Sequence, residues 1–238
     1  MEYWFLLIAF CAEIAGTVAG FGSSTLAIPL SLFIFDFETA LVLVAFLHIF
    51  GNVGRLTFFR HGLDTTILIR FGVPSVIATL IGAVLVSYIS QDILKGILGA
   101  FLVLYVALSW SKNFSFGATT PIMLAGGGLS GFLAGLIGTG GALRGAFLTA
   151  FGLPKEKYIA TAAAVALAVD ITRIPVYVSQ GFLDPAFYWM LPVLFVIALC
   201  GSFIGKRIVT HIPQATFRRV VLAAILLIGL KFLYDWTA

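Results

Sequence analysis

The stretch that decides the fold is GFGSSTLAIPL at residues 20–30, a glycine-containing interruption of a long apolar run. A second stretch of this kind, GLIGTGGALRGAFL, occupies residues 135–148. Glycine lowers helix propensity by about 1 kcal/mol per residue, so clusters of glycine tend to break helices. We therefore expect each run to form a glycine-broken helical element, either a re-entrant hairpin or a pair of short spans.

Around these two runs, the chain has the composition of a membrane protein. Of its 238 residues, 61% are hydrophobic and 10% are charged, whereas soluble domains carry about 25% charged residues. Its apolar runs match the roughly 20 helical residues that cross a hydrocarbon core of about 30 Å. Strand alternation is absent, so we expect an all-α polytopic membrane protein. Hydrophobic elements are expected at about 3–35, 38–58, 66–89, 93–111, 120–152, 157–179, 186–206 and 215–235.

The two glycine-containing runs lie in similar halves of the chain. An offset of 118 positions joins Gly20 to Gly138, Gly22 to Gly140, Glu38 to Glu156, Asn52 to Asp170, Arg55 to Arg173 and Pro74 to Pro192. This many matches in one register indicate an internal duplication, with repeats at residues 1–115 and 116–238. Paired broken segments at equivalent places of two repeats are typical of a transporter site.

The distribution of charge favours inverted repeats. If each broken element returns to its starting side or crosses twice, each half crosses an odd number of times. One side of the membrane then receives Arg60, Lys112, Lys155, Lys157, Lys206, Arg207, Arg218 and Arg219. That side is cytoplasmic by the positive-inside rule, and both termini are expected to be periplasmic. The competing parallel arrangement of eight simple spans sorts the charges less cleanly.

Five charged residues within apolar runs are candidates for an internal site: Glu13, Arg55, Arg144, Asp170 and Arg173. A charge at the bilayer centre costs about 2.5–3.5 kcal/mol on insertion scales, so such residues usually face a bundle interior or a cavity. Three basic groups against two acidic groups leave one positive charge in excess. A cavity of that kind favours an anion.

Several of these residues also have a structural interpretation. Asp170 and Arg173 lie three positions apart on one helical face and can form an ion pair that joins helices. In the first half the acid is replaced by Asn52, so Arg55 lacks a local counter-ion. Arg55 can bind an anion, or its side chain can snorkel towards the interface.

Arg144 lies three residues after Gly141, within the second break. Its planar fork of five donors suits a carboxylate, a sulfonate or a sulfite oxyanion. The alternative is an ion pair with Glu13.

The breaks supply a second means of binding an anion. A broken helix exposes unpaired N–H groups and the positive end of the following helix dipole, and we expect such donors at residues 24–26 and 142–144. The alternative is tight packing, because Gly16 and Gly20, and likewise Gly131 and Gly135, have small-xxx-small spacing. The predicted substrate-binding residues are Gly22, Ser23, Ser24, Thr25, Asn52, Arg55, Thr139, Gly140, Gly141, Arg144, Asp170 and Arg173.

Three residues are candidates for proton coupling: Glu13, His48 and Asp170. A lone buried histidine is more often a packed core residue than a proton relay. No Walker loop, nucleophile elbow, HExxH or metal-spaced cluster is present, so neither an enzyme, a metal nor a cofactor is expected. The net charge of +4 lies mostly at helix ends, and it does not indicate a nucleic-acid partner.

The two glycine-containing runs carry a family resemblance. GFGSSTLAIPL resembles the GxGGGxxxxPxL signature of the sulfite exporter TauE/SafE family, and the run at 135–148 resembles its repeat. The chain departs from the pattern at Ser23 and Ser24, which replace glycines, and at Phe147, which replaces a proline. Arg144 stands where many members have an apolar or small residue.

The resemblance implies a secondary transporter that exports sulfite, or a sulfonate such as sulfoacetate, across a bacterial inner membrane. It also implies that no ATPase partner is obligatory. The alternatives are uptake of a sulfur oxyanion or a small carboxylate, and a membrane scaffold without substrate. Any oligomer, such as a homodimer, is expected to form through lipid-facing helices.

Overall fold

The computed structural model describes residues 2–19, 22–58, 62–110, 117–208 and 214–237. Within these ranges the regular structure is all helical, which confirms the prediction of an all-α protein. The α-helices are α1 (Tyr3–Ala19), α2 (Ser24–Ser31), α3 (Phe37–Phe58), α4 (Thr65–Ile67), α5 (Val73–Leu85), α6 (Gln91–Trp110), α7 (Thr120–Ile137), α8 (Gly141–Ala150), α9 (Lys155–Ser179), α10 (Met190–Ile208) and α11 (Gln214–Thr237). A π-helical turn, Leu68–Gly72, joins α4 to α5.

In the described part of the chain, seven helical segments are long and apolar enough to cross a membrane. They are Phe37–Thr57, Thr65–Tyr88, Gln91–Trp110, Thr120–Ile137, Lys157–Ser179, Met190–Ile208 and Arg219–Thr237. The apolar part of α1, Tyr3–Val18, is shorter. Large apolar side chains such as Ile77, Val196 and Leu227 are more than half exposed on the outside of the bundle. The chain is therefore a multi-pass membrane protein whose outer surface contacts lipid.

The second glycine-rich run separates two helices. α7 ends at Ile137, and α8 begins at Gly141. Gly138 between them has a φ of 73°, and a Cβ atom added there would lie 2.6 Å from the side chain of Leu41. Both the backbone conformation and the lack of space therefore require glycine at this position.

The first run also contains a boundary between two helices. α1 includes Ala19 as its last residue, and α2 begins at Ser24. Gly22 has a φ of 86°, while Gly20 and Phe21 lie outside the described residues. α2 has 8 residues and α8 has 10, so at a rise of about 1.5 Å per residue both are far too short to cross the hydrocarbon core.

Helices pair across the two halves of the sequence. α5 packs against α7, and α1 packs against α10. The other extensive contacts join α3 to α9 and α6 to α11. If each helix is replaced by its counterpart in the other half of the sequence, the α5–α7 pair becomes the α10–α1 pair. The α3–α9 and α6–α11 pairs stay the same.

The α5–α7 contact is built on glycine. A Cβ atom added at Gly131 would lie 2.0 Å from the carbonyl oxygen of Ser75, and one at Gly135 would lie 2.2 Å from that of Thr79. The hydroxyls of Ser75 and Thr79 donate to the carbonyls of Gly127 and Gly131, at 2.8 and 2.9 Å. The tight-packing interpretation of Gly131 and Gly135 is therefore confirmed.

One predicted element begins too early. The run at 186–206 was expected to be a single helix, but α10 begins only at Met190. The carboxylate of Asp184 accepts from the backbone N–H of Ala186 and caps a short 3₁₀ turn, Pro185–Phe187. This local cap stabilises a turn where hydropathy alone predicts a helix.

Candidate functional site

The charged residues meet in a buried network that begins at Glu13 on α1. Its Oε1 accepts from Nη2 of Arg55 at 2.5 Å and from the hydroxyl of Ser202 at 2.7 Å. The side chain of Glu13 is fully buried, whereas that of Arg55 is 14% exposed. The snorkelling interpretation of Arg55 is therefore wrong. The suggested pair of Arg144 with Glu13 is also wrong, because α3 and α10 hold this carboxylate.

Two glycines make room for the carboxylate. A Cβ atom added at Gly51 on α3 would lie 2.5 Å from Oε1 of Glu13, and one at Gly201 on α10 would lie 2.9 Å from Cβ of Glu13. Sequence reasoning missed Gly51, Gly201 and Ser202. Gly51 precedes Arg55 by one helical turn, and this spacing is the signal that could have indicated a close neighbour.

The network continues through Asn52 to Asp170. Arg55 donates from Nη1 to Oδ1 of Asn52 at 3.0 Å, and the amide nitrogen of Asn52 donates to Oδ2 of Asp170 at 3.2 Å. Asn52 and Asp170 occupy matching positions of the two halves. Their contact therefore lies where the halves meet, between α3 and α9.

Asp170 is the centre of the network. Its Oδ1 accepts from Nε of Arg173 at 3.0 Å and lies 2.9 Å from Nη2 of the same guanidinium, which confirms the predicted ion pair. Its Oδ2 also contacts Nδ1 of His48 at 2.9 Å. Asp170 is completely buried, and both of its oxygens are occupied by protein donors. It therefore fixes the positions of α3 and α9 relative to each other.

Arg173 holds the second break. Its Nη1 donates to the carbonyls of Ala134 and Gly138 at 2.8 and 3.0 Å. These carbonyls lie at the C-terminal end of α7, where unpaired acceptors and the helix dipole attract a cation. The guanidinium of Arg173 is thus bound to protein on both sides.

Arg144 differs from the other two arginines. It lies on α8, it is 5% exposed, and no carboxylate of the described residues forms a salt bridge with it. It is nevertheless close enough to Asp170, Arg173 and Arg55 for their charges to interact. The buried network therefore combines three guanidinium groups with two carboxylates, and the charge left over lies at Arg144.

The predicted amide donors are only partly free. The backbone N–H of Arg144 donates to the carbonyl of Gly140 at 2.9 Å, and that of Leu26 donates to Ser23 at 3.1 Å. The expectation of free donors is wrong at these two residues because each completes the first turn of its helix. The amides that precede them are the first ones of α2 and α8 and lack an intrahelical acceptor.

The two breaks touch each other. The hydroxyl of Thr139 donates to that of Thr25 at 3.1 Å, and both side chains are fully buried. Beside them, Oγ of Ser23 and Nε2 of His48 are buried without a hydrogen-bond partner among the described residues. Buried polar atoms of this kind mark places where a polar ligand or a water molecule fits.

A charged cluster in the interior of a membrane-spanning bundle, beside two helix interruptions, defines a class of protein. Such clusters are typical of membrane transporters, since buried charge is retained on substrate and ion pathways. The chain belongs to the family described as "Sulfite exporter TauE/SafE", whose model matches residues 5–232. It is therefore a member of a membrane transporter family and not an enzyme. No curated protein gives a match to the chain.

Proposed function

We propose that the protein is a secondary transporter that exports small sulfur-containing anions across a bacterial inner membrane by alternating access. Sulfite, or an organosulfonate such as sulfoacetate, is the substrate. The observation that carries this proposal is the buried guanidinium of Arg144, which has no carboxylate partner among the described residues. An unpaired buried charge is costly, and an anionic substrate would compensate it.

The other predicted substrate ligands divide into two groups. Asn52, Arg55, Asp170 and Arg173 bind one another and the carbonyls of α7, so we assign them to the frame of the site. Ser23, Ser24, Thr25 and Thr139, with the glycines of the breaks, line the place where the first amides of α2 and α8 lie. We assign these residues, with Arg144, to contact with the oxyanion.

Inverted repeats are part of this proposal. The exchange of the α5–α7 contact for the α10–α1 contact supports a two-fold relation between the halves, and the contact of Asn52 with Asp170 supports an axis that passes through the site. The sorting of basic residues to one side supports periplasmic termini. An interior-negative potential favours exit of an anion by about 2.3 kcal/mol per charge per 100 mV.

The first experiment is a thermal-shift series on the purified protein with sulfite, sulfoacetate and acetate. Ligands that bind the folded state raise its melting temperature by mass action. We expect a sulfur anion to stabilise the wild type and to lose this effect in R144Q. Hydrogen bonds to charged groups contribute about 1.5–3 kcal/mol, so the affinity should fall by roughly 10–150-fold.

The matched control is R70Q. Arg70 is an exposed arginine that donates to the hydroxyl of Thr120, so its loss should leave the anion effect unchanged. Counterflow of labelled sulfite, sulfoacetate and acetate in proteoliposomes then separates sulfur anions from carboxylates. The proposal would be contradicted if the anions stabilised the wild type and R144Q equally, or if none of the three anions showed counterflow. The absence of counterflow is the result that a membrane scaffold without substrate predicts.

A further inference from the structure

His48 presents one ring nitrogen to the first break. Its side chain is 3% exposed, and Nε2 has no hydrogen-bond partner among the described residues. A Cβ atom added at Gly22 would lie 3.0 Å from this nitrogen. Nε2 therefore faces the backbone that precedes α2, on the side of the proposed anion site.

The other ring nitrogen is fixed by Asp170. The carboxylate of Asp170 is paired with Arg173 and accepts from Asn52, and an ionised carboxylate can only accept hydrogen bonds. Nδ1 of His48, at 2.9 Å from Oδ2, must therefore be the donor, and the amide nitrogen of Asn52, which lies 3.2 Å from Nδ1, donates to Oδ2 instead. In the neutral ring the lone pair is then on Nε2, which is the atom that can take a proton.

Charged groups on two neighbouring helices act on this ring. The burial of the ring opposes a positive charge on it. The carboxylate of Asp170 on α9 attracts a positive charge, whereas the guanidinium groups of Arg173 on α9 and Arg144 on α8 repel one. Glu13 on α1 is already neutralised by Arg55. An anion bound at Arg144 would cancel one opposing charge, so binding of the anion favours addition of a proton to Nε2.

We propose that His48 takes up one proton when a dianion binds, so that the transporter carries the two together. This inference rests on the proposed function of the same site. The proton comes from water on the loading side and forms a bond with the lone pair of Nε2, while Nδ1–H stays on Asp170. The new N–H then donates to the anion, and the proton leaves with it on the far side.

The charges at the site favour this stoichiometry. With His48 neutral, the one positive charge in excess matches a monoanion. With His48 protonated, two positive charges match a dianion such as sulfoacetate. A dianion and a proton together carry the same net charge as a monoanion alone, so the occupied site is equally well compensated in both cases.

The test counts the protons that bind with the anion. Calorimetric titration of sulfoacetate in two buffers of different ionisation enthalpy gives this number, which linkage expects to be about one for the wild type near neutral pH. In H48Q we expect the anion to bind with no proton uptake. The double variant H61Q/H211Q replaces the other two of the three histidines and should keep the wild-type count.

Each outcome decides a separate question. If sulfoacetate, sulfite and acetate all fail to bind the wild type, the proposed function itself is contradicted. Sulfoacetate that binds without a proton, or with the same proton count in H48Q, overturns the role of His48 alone. If H48Q does not fold, the count in H61Q/H211Q decides, because His48 is its single histidine. Loss of proton uptake in that variant overturns the inference, and a retained proton supports it.

Discussion

The α5–α7 and α1–α10 contacts join matching helices of the two halves of the sequence, yet they are built from different residues. In the α5–α7 contact Gly127, Gly131 and Gly135 lie on α7, and Gly131 faces the backbone of Ser75, while Gly82 on α5 faces the carbonyl of Phe132. In the α1–α10 contact the glycines lie on α10, and the position on α1 that matches Gly131 is Glu13. Gly201 faces this glutamate. At the matching positions 131 and 13, the glycine is therefore on α7 in one contact, whereas in the other contact α1 has a glutamate and the glycine is on α10.

This exchange of glycine decides what each contact can do. Where glycine is at position 131 of α7, the hydrogen bonds between α5 and α7 among the described residues are formed by the neutral hydroxyls of Ser75 and Thr79, and the contact serves as a packed support. Where glycine is on α10, the facing helix is free to carry a long side chain, and that side chain is a carboxylate. The comparison indicates that the α5–α7 contact supplies rigidity and the α1–α10 contact supplies charge to the site.

The largest effect should come from breaking the charged contact. In E13A the guanidinium of Arg55, mostly buried, loses its counter-ion, and loss of one partner of a buried pair costs about 3–5 kcal/mol. We expect a decrease of about 3 kcal/mol in the free energy of unfolding, since Arg55 retains some exposure. Unfolding by SDS in mixed micelles measures this change.

The control for this variant is E2A, which removes an exposed carboxylate next to the same helix and should leave stability unchanged. The double variant E13A/R55A removes both charges. It should cost less than the sum of E13A and R55A, because residues in one ion pair are coupled. Additive costs would show that the pair contributes nothing.

A smaller effect should come from filling the neutral contact. In G131A the new methyl group would overlap the carbonyl of Ser75, and overpacking costs about 1–3 kcal/mol. The matched control is G128A on the same helix, where an added Cβ atom meets nothing within 4 Å. We expect G128A to equal the wild type or to exceed it in melting temperature, and G131A to melt lower. Equal melting temperatures for the two variants would mean that α5 and α7 are not in close contact.

The smallest effect should come from replacing one serine by alanine in each of the two contacts. S75A removes a neutral interhelical hydrogen bond, worth about 0.6 kcal/mol in a membrane protein. S202A removes a bond to the carboxylate of Glu13, and bonds to charged groups contribute about 1.5–3 kcal/mol. The unfolding free energy should therefore fall more in S202A than in S75A. The reverse order would contradict the division into a packed and a charged contact.

Local patterns were predictable from the sequence, and contacts between distant segments were not. The ion pair of Asp170 with Arg173 followed from a spacing of three residues on one helix. The contacts of Glu13 with Arg55 and of His48 with Asp170 span 42 and 122 residues. Such pairs depend on which helices pack together, and hydropathy carries no information about that choice.

The roles of the three arginines show the same limit. All three were predicted to bind substrate, because each of them is a charged residue within an apolar run. In the structure Arg173 and Arg55 donate to protein groups, and Arg144 is the arginine that has no carboxylate partner within the described ranges. Deciding among them required the positions of the α7 carbonyls and of Glu13, which no local motif encodes.

The crossed pairing of α5 with α7 and of α1 with α10 also affects how the protein can move. In each of these two contacts, a helix of one half packs tightly against a helix of the other half. Neither half can therefore move as a separate rigid body. A rotation of residues 1–115 relative to residues 116–238 would disrupt both the α5–α7 contact and the α1–α10 contact. The bodies that turn against each other in the proposed alternating access should therefore each contain helices from both halves, and the boundary between them should not follow the boundary between the two predicted repeats.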